Sequence, residues 1–144
     1  MPSEIANRPT TTGGSVTETP EVLDNDPALV GTTWRLVSMD GVTPIEGTTI
    51  TLELRARELV GSAGCNNYGG GPDSGAYSAT RGRFDVPALA VTVVMCVEPA
   101  GIIEQEEQYL KLFKLTTGYQ VTGTELSLVD ENEQVRLVYQ RVNP

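Results

Sequence analysis

The residues most capable of covalent chemistry are the two cysteines, Cys65 and Cys96. Each could form half of a disulfide, remain a buried thiol or act as a nucleophile. A nucleophilic thiol usually needs a nearby base such as histidine, and the sequence contains no histidine. We favour the disulfide, because the two cysteines lie in different predicted strands and each has only the other as a partner. A disulfide between them would stabilise the folded protein by roughly 3 to 4 kcal/mol, because it lowers the chain entropy of the unfolded state.

Cys65 belongs to a polar stretch that leads into a glycine cluster. The stretch runs Gly-Cys-Asn-Asn-Tyr over residues 64–68 and is followed by three glycines at 69–71. It lacks the Gly-Lys-Ser/Thr and the strand-to-helix context of a phosphate-binding loop. Turn chemistry explains it better, because Gly and Asn tolerate positive φ and Asn side chains bond local backbone. Asn66, Asn67 and Tyr68 remain the candidate binding residues of this loop.

The rest of the sequence offers little for catalysis. Without histidine, the commonest general base and the usual imidazole zinc ligand are missing. The acidic turn at 130–133 lacks the glycine and the closing glutamate of an EF-hand loop, and residues 61–64 do not form a Gly-x-Ser-x-Gly elbow. We therefore predict no catalytic residue, no metal site and no cofactor, and we expect a protein that is not an enzyme.

The charge balance restricts the partners. The 144 residues carry 19 acidic and 10 basic side chains, a net charge of −9, which disfavours nucleic acid and anionic lipid surfaces. No apolar run reaches the roughly 20 residues that span a bilayer, and the chain does not open with a signal peptide. We expect a monomer, with any export signal or lipid anchor upstream of this chain, and a protein or a small hydrophobic ligand as the partner.

Composition divides the chain in two. Residues 1–28 hold four of the nine prolines, a threonine-rich run and few large apolar residues. Such a segment buries too little apolar surface to offset its ordering entropy, so we predict a flexible tail or linker. Residues 29–144 are predicted to form the folded domain.

Alternating apolar residues in the domain indicate several short strands. Ile50, Leu52 and Leu54 alternate with polar residues, which predicts one buried face. Residues 90–96 are apolar on both parities, which predicts a strand covered on both sides. One helix is expected from Glu98-Pro99 to Gly118. Its apolar stripe comprises Ile102, Ile103, Tyr109, Leu110 and Phe113.

The predicted fold is therefore mainly β (α+β). We expect a small β-barrel or a strongly curled antiparallel sheet of about seven to nine strands, with one helix packed on it.

Four stretches, in this order, resemble the META/HslJ-like domain family, a domain of unknown function. The match spans roughly residues 29 to 142. The stretches are Gly-Thr-Thr-Trp-Arg-Leu at 31–36, Gly-Cys-Asn-Asn-Tyr at 64–68, Thr-Val-Val-Met-Cys at 92–96, and the acidic helix that begins after Glu98-Pro99.

The resemblance implies a β-barrel-like domain of bacterial envelope lipoproteins and secreted proteins associated with stress. It identifies Cys65 and Cys96 as a bridge and Asn66, Asn67 and Tyr68 as the signature loop, and it supplies no catalytic residues. We expect a non-enzymatic extracytoplasmic domain, periplasmic, surface-bound or secreted, that acts through binding. The alternatives are a lipid or small-molecule carrier using the barrel interior, or a protease-inhibitor-like module presenting the glycine loop.

Overall fold

A computed structural model describes residues 25–69 and 75–142, and the described part contains nine strands and one helix. The elements, in chain order, are β1 Thr32–Met39, β2 Thr51–Leu54, β3 Leu59–Ser62, β4 Asn67–Gly69, β5 Ser78–Thr80, β6 Arg83–Asp85, α1 Ile102–Leu115, β7 Gly118–Val121, β8 Glu125–Val129 and β9 Val135–Arg141.

The nine strands form one antiparallel sheet in the order β4-β3-β2-β1-β9-β8-β7-β6-β5. The first and last strands are therefore neighbours near its centre. The sheet curls until its two ends approach each other, since Glu58 bridges Ala76 and the Leu59 N–H donates to the Gly75 carbonyl at 2.7 Å. This confirms the predicted curled, mainly β architecture with a single helix.

The core fills the space between the curled sheet and the helix. Leu52 and Leu54 of β2 are fully buried, whereas Thr51 and Glu53, which alternate with them, are partly exposed, as the alternation predicts. Phe113 of α1 packs on Tyr68 and Phe84, with ring centroids 5.4 and 5.9 Å apart. The interior is thus occupied by side chains, the largest being aromatic.

The helix is shorter than predicted at both ends. It begins at Ile102 because Gly101, at the N-cap position, adopts a φ of 86° that breaks the helical path before it. It ends at Leu115, since Thr116 turns to an extended conformation and its hydroxyl donates to the Phe113 carbonyl at 2.7 Å. Gly118 does not end the helix but opens β7.

The prediction of a doubly covered strand at residues 90–96 is wrong. The segment makes a single bridge, between Tyr68 and Val91, and is otherwise irregular. The side chains of Val93 and Met95 are 96% and 81% exposed. β-Branched residues favour an extended backbone, but burial on both faces needs a second layer. The helix cannot supply that layer, because it packs against the inner aromatic side of the sheet.

Residues 1–24 of the predicted tail lie outside the described residues, as do residues 70–74 of the glycine loop. Asn25 is the first described residue, and its side-chain amide donates to the Ala56 carbonyl at 2.9 Å. The next residue, Asp26, donates its N–H to the Ala79 carbonyl at 2.8 Å.

Gly61 permits a close approach within the sheet. A Cβ at this position would lie 2.2 Å from the Thr51 carbonyl oxygen and 2.6 Å from the Tyr68 hydroxyl oxygen. We therefore expect Gly61→Ala to lower the free energy of unfolding by about 1 to 3 kcal/mol, since rigid backbone must move. Urea denaturation measures this difference.

The matched control is Gly123→Ala, because a Cβ added at Gly123 would meet no atom within 4 Å beyond its chain neighbours. It should change stability by less than about 0.5 kcal/mol. Equal effects of the two substitutions would contradict the steric explanation.

Candidate functional site

The predicted disulfide is present between Cys65 and Cys96. The S–S distance is 2.01 Å and the Cα–Cα distance is 6.0 Å. The bond joins the loop between β3 and β4 to the irregular segment before the helix, two regions that are 31 residues apart in sequence.

Asn66 holds the same two regions together by hydrogen bonds. Its side-chain Oδ1 accepts from the Val94 N–H at 2.7 Å and from the Thr92 hydroxyl at 3.0 Å. Its Nδ2 donates to the Val94 carbonyl at 3.1 Å and to Glu106 Oε2 at 2.7 Å. The amide thus uses both acceptor positions and both N–H groups within the protein, which gives Asn66 a structural role in joining the two regions.

Glu106 is a site residue that the sequence analysis missed. It is 6% exposed, and its Oε1 accepts from the backbone N–H groups of Cys65 at 3.0 Å and Asn66 at 2.6 Å. Its position, four residues after Ile102 and three before Tyr109, places it on the apolar stripe of the helix. That spacing was the signal available in the sequence.

The three residues of the signature loop point in different directions. Asn66 is buried, Asn67 is exposed, and Tyr68 is 2% exposed in the core. The backbone of Asn67 pairs with Thr92, whose N–H donates to the Asn67 carbonyl at 3.0 Å and whose hydroxyl accepts from the Asn67 N–H at 3.0 Å. Asn67 and Tyr68 both line the surface cavity beside the loop, and Asn67 is the exposed one of the three.

Tyr68 begins a buried chain of three phenol hydroxyls. It donates to the Thr51 carbonyl at 2.6 Å. Since that uses its only proton, Tyr109 must donate to Tyr68 at 2.7 Å and Tyr139 to Tyr109 at 2.7 Å. The pKa of all three tyrosines lies well above the usual value. Burial is the larger cause, and the other phenols of the chain are the second.

An open surface cavity of about 520 Å³ lies beside the loop. It is lined by residues 60–62 of β3, by β4, by residues 90–92 and by Thr51. Its neighbour along the chain is the apolar segment, which we define as residues 93–97. The side chains of Val93, Val94, Met95 and Val97 in this segment are between 57% and 96% exposed.

The acidic turn is engaged in local contacts. Asp130 accepts from the N–H groups of Gln134 at 3.0 Å and Asn132 at 2.9 Å, and from the Arg136 guanidinium at 3.1 Å. These bonds, led by that of Gln134, lower the pKa of Asp130. Within residues 25–69 and 75–142, no three His, Cys, Asp or Glu side chains are grouped as a metal site would require.

The helix of the described part is neither long nor apolar enough to cross a membrane.

The curled nine-stranded sheet, the single packed helix and the bridge between the β3–β4 loop and the segment before the helix define one class of domain. The chain belongs to the META domain family, whose sequence profile matches residues 27–143. This confirms the resemblance found in the sequence.

Two solved structures share the fold. One is an NMR structure with 21% sequence identity, covering 78% of this chain and 90% of its own, with a TM-score of 0.59. The other is an NMR structure of a protein from Burkholderia xenovorans with 26% identity, covering 95% of this chain and 100% of its own, also with a TM-score of 0.59. The comparison with curated proteins gives no match.

The Glu106 network yields a stability prediction. In Glu106→Gln the amide places an NH₂ group opposite the Asn66 Nδ2, or opposite the two backbone N–H groups, so at least one buried donor loses its acceptor. We expect the free energy of unfolding to fall by about 1 to 3 kcal/mol. The exposed neighbour Glu107 is the control, and Glu107→Gln should shift it by less than about 0.5 kcal/mol. A neutral Glu106→Gln would show that the network contributes nothing to stability.

The tyrosines yield a pH prediction. All five have a raised pKa, which is about 12 for Tyr77 and Tyr119, chiefly through burial. Their contribution to stability is complete below the unfolded pKa of about 10 and is lost as the pH rises toward the folded values. We expect the free energy of unfolding to fall by up to about 1.4 kcal/mol per tyrosine and pH unit above 10.

Ultraviolet absorbance should therefore show little tyrosinate in the folded protein at a pH of about 11, and its appearance should coincide with the loss of circular dichroism. Ionisation near pH 10 in a protein that stays folded would contradict the burial of these phenols.

Proposed function

We propose that this META domain works outside the cytoplasm as a non-enzymatic binding domain whose contact surface is the apolar segment. The observation that carries the proposal is the Cys65–Cys96 disulfide, which fixes this segment at the surface with its side chains exposed. Disulfides form and persist in oxidising compartments. Association with the cell envelope and a role in stress tolerance belong to the same proposal, because the resemblance to the META/HslJ-like family implies them.

The exposure of the segment is unusual because it is contiguous. Single exposed apolar residues are normal on protein surfaces, whereas a contiguous patch is typical of an interaction site. Here four of five consecutive residues present large apolar side chains to solvent. Residues 86–97 contain no charged side chain, although the whole chain carries a net charge of −9. Such a patch on an otherwise acidic surface favours a contact that buries it.

The segment is also fixed in place before any partner arrives. Cys96 is bonded to Cys65, and the Val94 backbone pairs through both its N–H and its carbonyl with the Asn66 side chain. A preorganised surface loses less conformational entropy on binding than a flexible one. The polar core of the loop therefore supports the contact surface without touching the partner.

The packing argues against the alternatives. The inner side of the sheet is filled by large aromatic and aliphatic side chains, among them Trp34, Tyr109 and Tyr139, each fully buried. A carrier that uses the interior finds no support there. The buried polar residues Asn66 of the loop and Glu106 of α1 make their hydrogen bonds to the protein itself, which favours binding over catalysis. Most of the glycine loop of the inhibitor-like alternative lies outside the described residues.

Two measurements in cells that express the protein natively test the proposal. Maleimide labelling of intact protein should leave Cys65 and Cys96 unmodified unless a reductant is added. A photoreactive amino acid at position 93 should crosslink to one discrete partner, whereas the same group at Val42, which is 64% exposed, should not. Free thiols in the native protein would refute the location, and equal crosslinking at both positions would refute the surface.

A further inference from the structure

The stretch from Ala90 to Met95 lies along the edge of the sheet, beside β4. On one side its backbone meets β4, because the Gly69 N–H donates to the Ala90 carbonyl at 2.9 Å and the Thr92 N–H donates to the Asn67 carbonyl at 3.0 Å. The Asn66 side chain continues this pairing at Val94. The even-numbered residues therefore direct their backbone groups toward the domain.

The odd-numbered residues direct theirs the other way, as an extended strand requires. Val91 is the bridge partner of Tyr68 in a pair whose hydrogen bonds are made by its neighbours. Within residues 25–69 and 75–142, the backbone N–H and carbonyl groups of Val91, Val93 and Met95 have no hydrogen-bond partner. We define these three residues as the open edge.

We infer that the open edge receives an extended peptide strand of a partner protein by β-strand addition. Main-chain hydrogen bonds then supply affinity, and alternate side chains contact the apolar segment. This inference rests on the proposed function and specifies its partner. A row of unpaired backbone groups on residues without charged side chains is the template that such a strand recognises.

The chemistry of the open edge favours a peptide strand over a lipid surface or a second copy of this chain. A lipid surface offers no hydrogen bonds to backbone groups, so burying the open edge in it would be costly. A second copy brings a second charge of −9 to the contact. Glu98, which follows the segment, and Glu104, in the first turn of α1, are both exposed. An apolar strand with Lys or Arg at its ends fits this charge.

The test uses the full chain and a fluorescent synthetic peptide of alternating valine and threonine with a lysine at each end. Anisotropy titration should show saturable binding. Methylating alternate peptide nitrogens that face the edge should weaken binding by about tenfold or more, since several hydrogen bonds are lost. Replacing the two lysines with glutamates should also weaken it. A peptide that fails to bind, or that binds equally well when methylated, overturns the inference.

Protein variants locate the site. Val93→Ser and Met95→Ser should each reduce peptide affinity several-fold while leaving the thermal unfolding midpoint unchanged, because both side chains lie in solvent. Val42→Ser is the matched control and should bind as the native chain does. Equal binding by all four proteins overturns the location.

Sedimentation velocity of the chain without peptide supplies the remaining arm. A monomer supports the inference, whereas a dimer that Val93→Ser dissociates assigns the edge to a second copy and overturns it.

Failure of this inference can be distinguished from failure of the proposed function. If the peptide fails but position 93 still crosslinks to a discrete partner, the binding surface stands and only strand addition is refuted.

Discussion

The structure around the candidate site depends on one buried carboxylate. Glu106 projects from the helix into the loop after β3, and its two oxygens receive the N–H groups of Cys65 and Asn66 and the side-chain amide of Asn66. Asn66 then holds Val94. A buried carboxylate is costly unless its oxygens are satisfied, so the helix, the loop and the apolar segment can take only arrangements that keep these bonds. The disulfide adds a covalent bond to a geometry that hydrogen bonds already define.

The predictable part of the fold is the part governed by periodicity. The alternation in β2, the turn residues between strands and the amphipathic helix each follow from local side-chain chemistry. These local patterns were enough to predict a curled antiparallel sheet with one helix. The pairing of β1 with β9 is not local, and no sequence pattern announced it.

The site was predicted less completely, for two physical reasons. The pairing of Cys65 with Cys96 followed because neither had another partner. The roles of Asn66 and Glu106 did not, since a polar residue becomes structural only when a distant group meets it, 40 residues away in this case. The prediction that Val93 and Met95 are buried was wrong for a different reason. Apolar character leads to burial only where the fold supplies a covering layer.

The central pairing of β1 with β9 has a consequence for how the domain comes into being. β9 contacts both β1 and β8, so it closes the sheet between the halves contributed by early and late residues. Until the last described strand is available, β1 lacks one of its two neighbours and the core lacks Leu137 and Tyr139. A domain that emerges from a ribosome from its N-terminal end therefore cannot complete its sheet before β9 has appeared. Completion of the core is thereby postponed until the domain has been made through β9.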